Sequence, residues 1–171
     1  MNFKTFVFNP IQENTYVIYD ETGEAAVIDA GNFDETENEK LASFINDNNL
    51  TVKCIFNTHN HWDHIFGLDW IQKNYNPRIY CHADDLPWIE NFSMICESYG
   101  FGKRAVPQPT NFYYNGQTVK FGDTTLEVLH TPGHSAGGVS LYCAESKMLF
   151  SGDTLFAGTI GRTDLIFGDY D

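Results

Sequence analysis

The feature that most constrains this chain is a dense run of metal-type ligands directly after an apolar, strand-like segment. The run, T-H-N-H-W-D-H, places three imidazoles and one carboxylate within six residues. Imidazole nitrogen and carboxylate oxygen are the ligands that zinc and iron favour. On a loop that leaves a buried strand, His59 and His61 can point to one centre. Asp63 and His64 can then turn toward a neighbouring centre as the next helix begins. The alternative, a polar surface loop without function, does not account for so many ligands in so short a span.

Two later stretches carry further candidate ligands. In T-P-G-H-S, residues 131–135, the proline and glycine force a tight turn after a strand and leave His134 at its tip. His130 is expected to end that strand as a packed or hydrogen-bonded histidine. Asp153 follows another apolar strand beside Gly152. Taken alone, Asp153 would be interpreted as a turn-forming residue. Together with the other two stretches it is predicted to be a ligand, because a carboxylate can bridge two cations.

The remaining sequence alternates strands and helices. Apolar periodicity predicts strands at 3–8, 15–19, 25–28, 52–57, 78–81, 117–121, 124–130, 138–143 and 148–150. It predicts helices at 33–49, 65–74 and 84–99, and the proline-containing segment 100–111 as an irregular, solvent-facing connection. Strand-rich blocks interleaved with helices, without a regular βαβ rhythm, favour two sheets packed face to face with helices outside. The length fits one domain spanning 1–171.

Charge and cysteine usage restrict the partners. The chain has 10 Lys+Arg against 23 Asp+Glu, a formal net charge of −13 with neutral histidine, so a nucleic-acid polyanion would be repelled.

The cysteines form no C-x-x-C pair and are predicted to be buried thiols without a disulfide; they are Cys54, Cys81, Cys96 and Cys143. The N-terminus lacks a signal-peptide pattern, and no apolar run is long enough to span a bilayer. The sequence therefore predicts a cytoplasmic protein without a membrane partner.

Taken together, the motifs H-N-H-W-D-H, T-P-G-H-S and G-D-T-L-F, in this order and at these separations, resemble the metallo-β-lactamase superfamily. The early I-D-A-G at 28–31 is similar to the I-D-x-G loop of that superfamily, and N-T-Y at 14–16 to its N-x-Y strand. The segment 158–164 is similar to the G-R-x-D segment of the glyoxalase II-like (hydroxyacylglutathione hydrolase-like) branch. The resemblance implies an α+β fold: an αββα four-layer sandwich of two mixed β-sheets flanked by helices, with a metal site at one edge between the sheets.

The resemblance also implies a role for each candidate residue. The ligands would be His59, His61 and His134 for a first metal ion, Asp63 and His64 for a second, and Asp153 as a bridge between them. Asp29 would orient the ligand loop through hydrogen bonds. Arg162 and Asp164 are expected to form a structural pair near the site. Two zinc ions are expected in a complete site, with iron or manganese as alternatives.

The sequence departs from the family pattern at its C-terminus. Glyoxalase II-like chains continue past G-R-x-D through a further helix, a strand and a P-G-H-G loop whose histidine completes the second metal site, whereas this sequence ends at Asp171. His82 lies where the family places no metal ligand. The expectation is a chain that lacks the C-terminal part, with a second site one protein ligand short. Its second sheet would lack a strand and a covering helix, and the exposed sheet edge would favour a homodimer.

The leading hypothesis is a metal-dependent thioester hydrolase, similar to hydroxyacylglutathione hydrolases, with a small-molecule substrate such as a glutathione thioester. A metal-bound hydroxide would attack the carbonyl carbon, and Asp63 would orient or deprotonate the nucleophile. Two alternatives stay open: a mononuclear-iron persulfide dioxygenase that uses His59, His134 and Asp153, and an inactive metal-binding truncated fragment. β-Lactam hydrolysis is less expected because an export signal is lacking, and the net charge disfavours RNA processing.

Overall fold

The computed structural model describes residues 1–165, and residues 166–171 lie outside the described part. Its strands are β1 (Asn2–Phe8), β2 (Glu13–Tyr19), β3 (Glu24–Ile28), β4 (Thr51–Phe56), β5 (Arg78–Cys81), β6 (Asn111–Phe112), β7 (Thr118–Phe121), β8 (Thr124–His130), β9 (Val139–Cys143), β10 (Met148–Phe150), β11 (Leu155–Phe156) and β12 (Thr159–Ile160). Its α-helices are α1 (Glu35–Asp47), α2 (Leu68–Tyr75), α3 (Leu86–Glu90) and α4 (Phe92–Ser98). Each predicted strand is therefore confirmed to within two residues at either end. The short strands β6, β11 and β12 were not predicted.

The strands form two larger sheets and one small hairpin. The first sheet has the order β1-β2-β3-β4-β5-β6, the second has the order β10-β9-β8-β7, and β11 pairs with β12. The first sheet is mixed, because β1 to β3 pair antiparallel while β3 to β6 pair parallel. The second sheet is antiparallel over its described strands. Within residues 1–165 the mixed character that the resemblance implied for both sheets is thus found in the first.

The central strands β3 and β4 of the first sheet are buried on both faces, which explains why they read as continuous apolar runs. Val27 packs in one apolar cluster with Leu41 of α1 and Ile71 of α2. The next residue, Ile28, packs in another cluster with Val128 and Leu141 of the second sheet. Side chains alternate between the two faces of a strand, so the layer order is helices, first sheet, second sheet. The described residues supply three layers of the predicted four-layer sandwich.

The predicted single helix at 84–99 is wrong, because two helices occupy this stretch. The chain breaks at Asn91, whose φ of −101° and ψ of 4° are not helical. The Asn91 side-chain amide donates to the carbonyl oxygen of Pro87 at 2.8 Å. An asparagine side chain that binds nearby backbone competes with helix continuation, so α3 ends after little more than one turn. The predicted helix at 65–74 begins later than expected, at Leu68, because residues 62–64 form a short 3₁₀ turn.

Three other predictions concern the cysteines, the bilayer and the segment 100–111. All four cysteines are buried and free, as predicted. Among residues 1–165, none of the helices has the length and apolar character that crossing a bilayer requires. The segment 100–111 is irregular, as predicted, up to the point where Asn111 enters β6.

Candidate metal centre

Loops at one edge between the two sheets carry all the candidate ligands. One loop follows β4, a second follows β8 and a third follows β10. Strands β8 and β10 both pair antiparallel with β9, so they run in the same direction and their final residues lie at the same edge. The backbone N–H of Val139, at the start of β9, donates to the carbonyl oxygen of Thr58 at 2.8 Å. This bond joins the loop of the first sheet to the second sheet.

His59, His61 and His134 form a compact group that could hold a metal ion. Ligand atoms of the three residues all lie within 4.8 Å of one another, and their ring centroids are 4.5 to 5.0 Å apart. The three Nε2 atoms are buried and form no hydrogen bond with any residue in the described range 1–165. Buried polar atoms normally have a partner. A metal ion would provide one for all three nitrogens, so the residues present fit a metal.

The opposite ring nitrogens of two of these histidines are held by hydrogen bonds. The Thr58 hydroxyl donates to Asp29 at 2.6 Å, so the same oxygen can accept the proton of His59 Nδ1, 3.1 Å away. His134 Nδ1 lies 2.8 Å from the carbonyl oxygen of Arg162, which can only accept. Both bonds place the proton on Nδ1 and leave the Nε2 lone pair available to a metal.

His64 lies beside this group, with its ring centroid 4.1 Å from that of His59. Its Nε2 faces an Asp63 oxygen at 3.7 Å and an Asp153 oxygen at 3.5 Å. The second oxygen of Asp153 lies 3.4 Å from His134 Nε2. Asp153 therefore lies between the three-histidine group and His64, with one carboxylate oxygen toward each. The structure brings all six predicted residues into one cluster.

Asp29 forms hydrogen bonds with the ligand loop, in the position that the resemblance implied for it. One of its oxygens accepts from the backbone N–H of Thr58 at 2.7 Å, and the other lies 3.1 Å from Nδ1 of His64. Asp29 has a φ of +53°, a left-handed conformation that is unfavourable for a non-glycine residue. Its own N–H donates to the carbonyl oxygen of Phe56 at 3.2 Å. In this strained conformation the carboxylate contacts both the Thr58 backbone before His59 and the ring of His64.

Burial and neighbouring charges separate the protonation states of the histidines. Burial and the adjacent imidazoles hold the pKa of His59 well below its ordinary value and lower the pKa of His61 to about 3. Burial also acts to lower the pKa of His64, but the carboxylates of Asp63, Asp29 and Asp153 outweigh it and raise that pKa well above the usual range. His59 and His61 are therefore neutral, which is the state that binds metal. The carboxylates around His64 supply the negative charge that a second cation would neutralise.

A buried carboxylate that the sequence did not single out joins two ligand loops. Asp85 is fully buried, and its oxygens accept from the backbone N–H of Asn60 at 2.9 Å, the Ser135 hydroxyl at 3.0 Å and the backbone N–H of Gly137 at 2.7 Å. Asn60 lies between two predicted ligands of the first loop, and Ser135 follows His134 in the second. No local pattern distinguishes Asp85 from the adjacent, exposed Asp84, so only the tertiary structure identifies it.

Glu13 is a second buried acid that the sequence did not single out. Its side chain accepts from the Thr15 hydroxyl at 2.8 Å, and its other oxygen lies 3.7 Å from His64 Nδ1. Burial is the main reason that the pKa of Glu13 is raised well above its ordinary value. A Cβ atom at Gly31 would overlap the Glu13 carboxylate, so the glycine of the I-D-A-G loop provides the space for this side chain.

His82 and His130 lie together outside this cluster. Their rings stack at 4.3 Å with an interplanar angle of 10°, and His130 Nε2 lies 3.0 Å from the carbonyl oxygen of Ala136. The prediction of a packed, hydrogen-bonded His130 is confirmed. With Asp84 they form another group close enough to hold an ion, but stacking keeps the lone pairs of the two rings in separate parallel planes, and His130 Nε2 already faces the Ala136 carbonyl.

The expected pair near the site is also present. Arg162 donates two hydrogen bonds to the carboxylate of Asp164, at 2.7 and 2.8 Å. Both side chains are exposed. The link between this segment and the site is the backbone carbonyl of Arg162, which accepts from His134 Nδ1.

Sequence comparison is consistent with this geometry. Residues 8–171 match the model of the metallo-β-lactamase superfamily. The chain is 33% identical over 172 residues to the probable metallo-hydrolase YqgX of Bacillus subtilis (strain 168), covering all of this chain and 79% of that protein. It is 30% identical over 173 residues to the hydroxyacylglutathione hydrolase GloC of Haemophilus influenzae, covering all of this chain and 80% of the relative.

Solved structures give the same picture of the fold. The BLEG-1 B3 metallo-β-lactamase superposes with a TM-score of 0.87 at 34% identity, covering 99% of this chain and 80% of that one. TTHA1623 in a di-iron-bound form superposes with a TM-score of 0.85 at 34% identity, covering 98% of this chain and 80% of that one. The fold is thus shared with a protein named as a metallo-β-lactamase and with one that binds two iron ions.

Proposed function

Because this chain belongs to the metallo-β-lactamase superfamily, whose members are metallohydrolases, we propose that it is a metal-dependent hydrolase that cleaves thioesters. The observation that carries the proposal is the set of three buried histidine Nε2 atoms, beside a carboxylate, that lack hydrogen-bond partners in residues 1–165. The thioester preference is supported by a 30% identical relative named as a hydroxyacylglutathione hydrolase.

Each predicted ligand has a proposed part in this site. His59, His61 and His134 would hold one ion, His64 and Asp63 would face a second, and Asp153 would contact both. A bound metal ion would lower the pKa of a coordinated water, to about 7 in the case of zinc, and would polarise the substrate carbonyl. The di-iron form of TTHA1623 makes iron as reasonable an occupant as zinc.

Asp63 is the proposed proton acceptor. Burial raises the pKa of its carboxyl group, although the charge of His64 acts in the opposite direction. Its carboxylate oxygen lies 3.7 Å from His64 Nε2, a position from which it would accept a proton from an attacking water. A cavity of about 320 Å³ adjoins Asp63, His64 and Asp153, so a small substrate can reach this carboxylate. The leaving thiolate, with a parent thiol pKa of about 8.5, needs little acid assistance.

The test is turnover of the metal-loaded chain on substrates of different classes. Protein reconstituted separately with zinc and with iron is assayed with S-lactoylglutathione, with a β-lactam, and with glutathione persulfide under oxygen. We expect thioester hydrolysis that His61→Ala abolishes. His82→Ala is the control, because His82 lies outside the cluster.

Elemental analysis of each variant makes the result interpretable. Loss of both metal and turnover in His61→Ala, with both retained in His82→Ala, supports the proposal. Hydrolysis by a His61→Ala protein that binds no metal would refute the site. Turnover of the β-lactam alone, or oxygen consumption with the persulfide alone, would refute the thioester preference.

A further inference from the structure

We propose that the thioester substrate places an apolar arm in a cavity between α3, α4 and the chain near Leu165. The inference rests on the proposed function and narrows its substrate class to thioesters with an apolar arm, in place of the anionic arm of a glutathione thioester. The cavity has a volume of about 370 Å³, which falls within the range typical of small-molecule sites. Its described lining residues are Trp88, Asn91, Met94, Ile95, Ser98, Tyr99 and Leu165.

The cavity is next to the first histidine group. The indole of Trp88 packs against His61, with ring centroids 4.3 Å apart. On the other wall, Tyr99 stacks on Trp62 of the same ligand loop at 5.0 Å. Two aromatic walls of the cavity therefore rest on the loop that carries the proposed ligands.

The third wall is connected to His134. Leu165 lies three residues after Arg162, and the Arg162 carbonyl accepts the Nδ1 proton of His134. The segment that positions one proposed ligand thus continues directly to the cavity edge. In the proposed binding mode, the substrate carbonyl lies at the histidine group and a short arm extends into this space.

The chemistry of the lining indicates what that arm is. None of the described lining residues is charged. The two polar side chains use their donors within the helices: Asn91 donates to the Pro87 carbonyl oxygen at 2.8 Å and Ser98 to the Ile95 carbonyl oxygen at 2.7 Å. A carboxylate placed against these walls would gain no charged partner to offset any hydration that it lost.

Nearby cations do not change this conclusion. The Arg162 guanidinium is already paired with Asp164 through two hydrogen bonds. Lys103 lies 4.0 Å from Glu97, and the chain carries a formal charge of −13. Met94 and Tyr99, by contrast, both line this cavity and are each 62% exposed overall, so an apolar arm that covers them would remove apolar surface from water.

The experiment compares thioesters that differ only in the length of one apolar arm. The zinc-loaded full chain is assayed with acetyl, butanoyl and hexanoyl thioesters of N-acetylcysteamine, with an alkanethiol series of acetyl thioesters, and with S-lactoylglutathione. Each buried methylene should raise kcat/KM by up to about fourfold, so the best six-carbon arm should exceed the two-carbon arm by roughly tenfold or more. S-lactoylglutathione should be a poorer substrate than the best apolar thioester.

Three variants on α4 test the location. Ser98→Trp fills the cavity, whereas Glu97→Trp adds the same side chain at the neighbouring exposed position that does not line it. We expect Ser98→Trp to reduce the ratio of kcat/KM for the long and short thioesters by roughly tenfold, and Glu97→Trp to leave it unchanged. Met94→Glu, at the exposed mouth, should reduce the same ratio. Calorimetric binding of octanamide to the metal-free chain should weaken in both cavity variants.

The outcomes separate this inference from the proposed function. No hydrolysis of any thioester by metal-loaded protein would overturn both. Hydrolysis without dependence on the length of either arm, or with S-lactoylglutathione as the best substrate, would overturn only the apolar arm. A dimer in sedimentation that Ser98→Trp dissociates, without octanamide binding, would also overturn it, because a second copy would then occupy the cavity.

Discussion

Removal of the Asp85 carboxylate should loosen two ligand loops at once. The side chain is fully buried and accepts three hydrogen bonds of 2.7 to 3.0 Å from Asn60, Ser135 and Gly137. A Cβ atom at Gly137 would lie 2.7 Å from the Asp85 carboxyl carbon, so the glycine is required for this close approach. Asp85→Ala would leave three donors without an acceptor, on both sides of the histidine group.

The expected loss of stability follows from these three donors. Each buried donor left without a partner costs about 1 to 3 kcal/mol, and removal of a buried carboxylate recovers part of that cost. We therefore expect Asp85→Ala to lower the free energy of unfolding by about 3 kcal/mol. This corresponds to a decrease in Tm of roughly 6 to 12 °C for a chain of this size. Displacement of the loops should also weaken zinc binding by about 10- to 100-fold.

Urea unfolding of metal-free protein and competition for zinc with a chelator measure these two effects. Asp84→Ala is the matched control, because Asp84 is the adjacent residue and its side chain is 59% exposed. Asp85→Asn keeps one acceptor and should fall between Asp85→Ala and wild type in both assays. If Asp85→Ala and Asp84→Ala unfold at the same urea concentration and bind zinc equally, the inference that Asp85 holds the loops is refuted.

Three further perturbations test individual hydrogen bonds and a close contact elsewhere in the fold. Thr58→Val removes the hydroxyl that accepts from His59 and should weaken zinc binding by about 10- to 100-fold in chelator competition. Thr58→Ser keeps a hydroxyl and should bind zinc like wild type. Equal zinc affinities of the two variants would contradict the assigned hydrogen bond. Gly152→Ala places a Cβ atom against the Thr58 hydroxyl at a φ of +50° and should cost about 1 to 3 kcal/mol in urea unfolding; an unchanged midpoint would show that the turn relaxes freely. Burial acts to raise the pKa of Asp20, but hydrogen bonds from residues that include Thr124 outweigh it and lower that pKa. The stability that ionised Asp20 contributes is therefore fully present above the unfolded pKa of about 3.9, and it is lost as the pH falls through the lower pKa of the folded state. We expect Asp20→Asn to lower the free energy of unfolding by about 1 to 2 kcal/mol at pH 7. The loss should become progressively smaller in urea titrations at strongly acidic pH. A difference that is constant across pH would contradict this assignment.

The sequence by itself determined the strands and the kinds of ligand. Alternating and continuous apolar runs predicted β8 and the central strands, because side-chain direction in a strand depends on local periodicity. The H-N-H-W-D-H loop and the positions of His134 and Asp153 were predicted from residue type and from the turns around them. The structure brings these residues into one cluster at the edge between the sheets.

Only the tertiary structure decided which neighbours complete the site. Asp84 and Asp85 are equivalent in a local pattern, yet Asp85 alone reaches a loop 50 residues away. The break at Asn91, which gives α3 and α4 their separate positions, and the packing of Trp88 on His61 were likewise not predicted. Contacts between residues distant in sequence depend on how the layers pack. Periodicity within one element does not specify them, whereas the ligand types and strand pattern are local and can be read from the sequence directly.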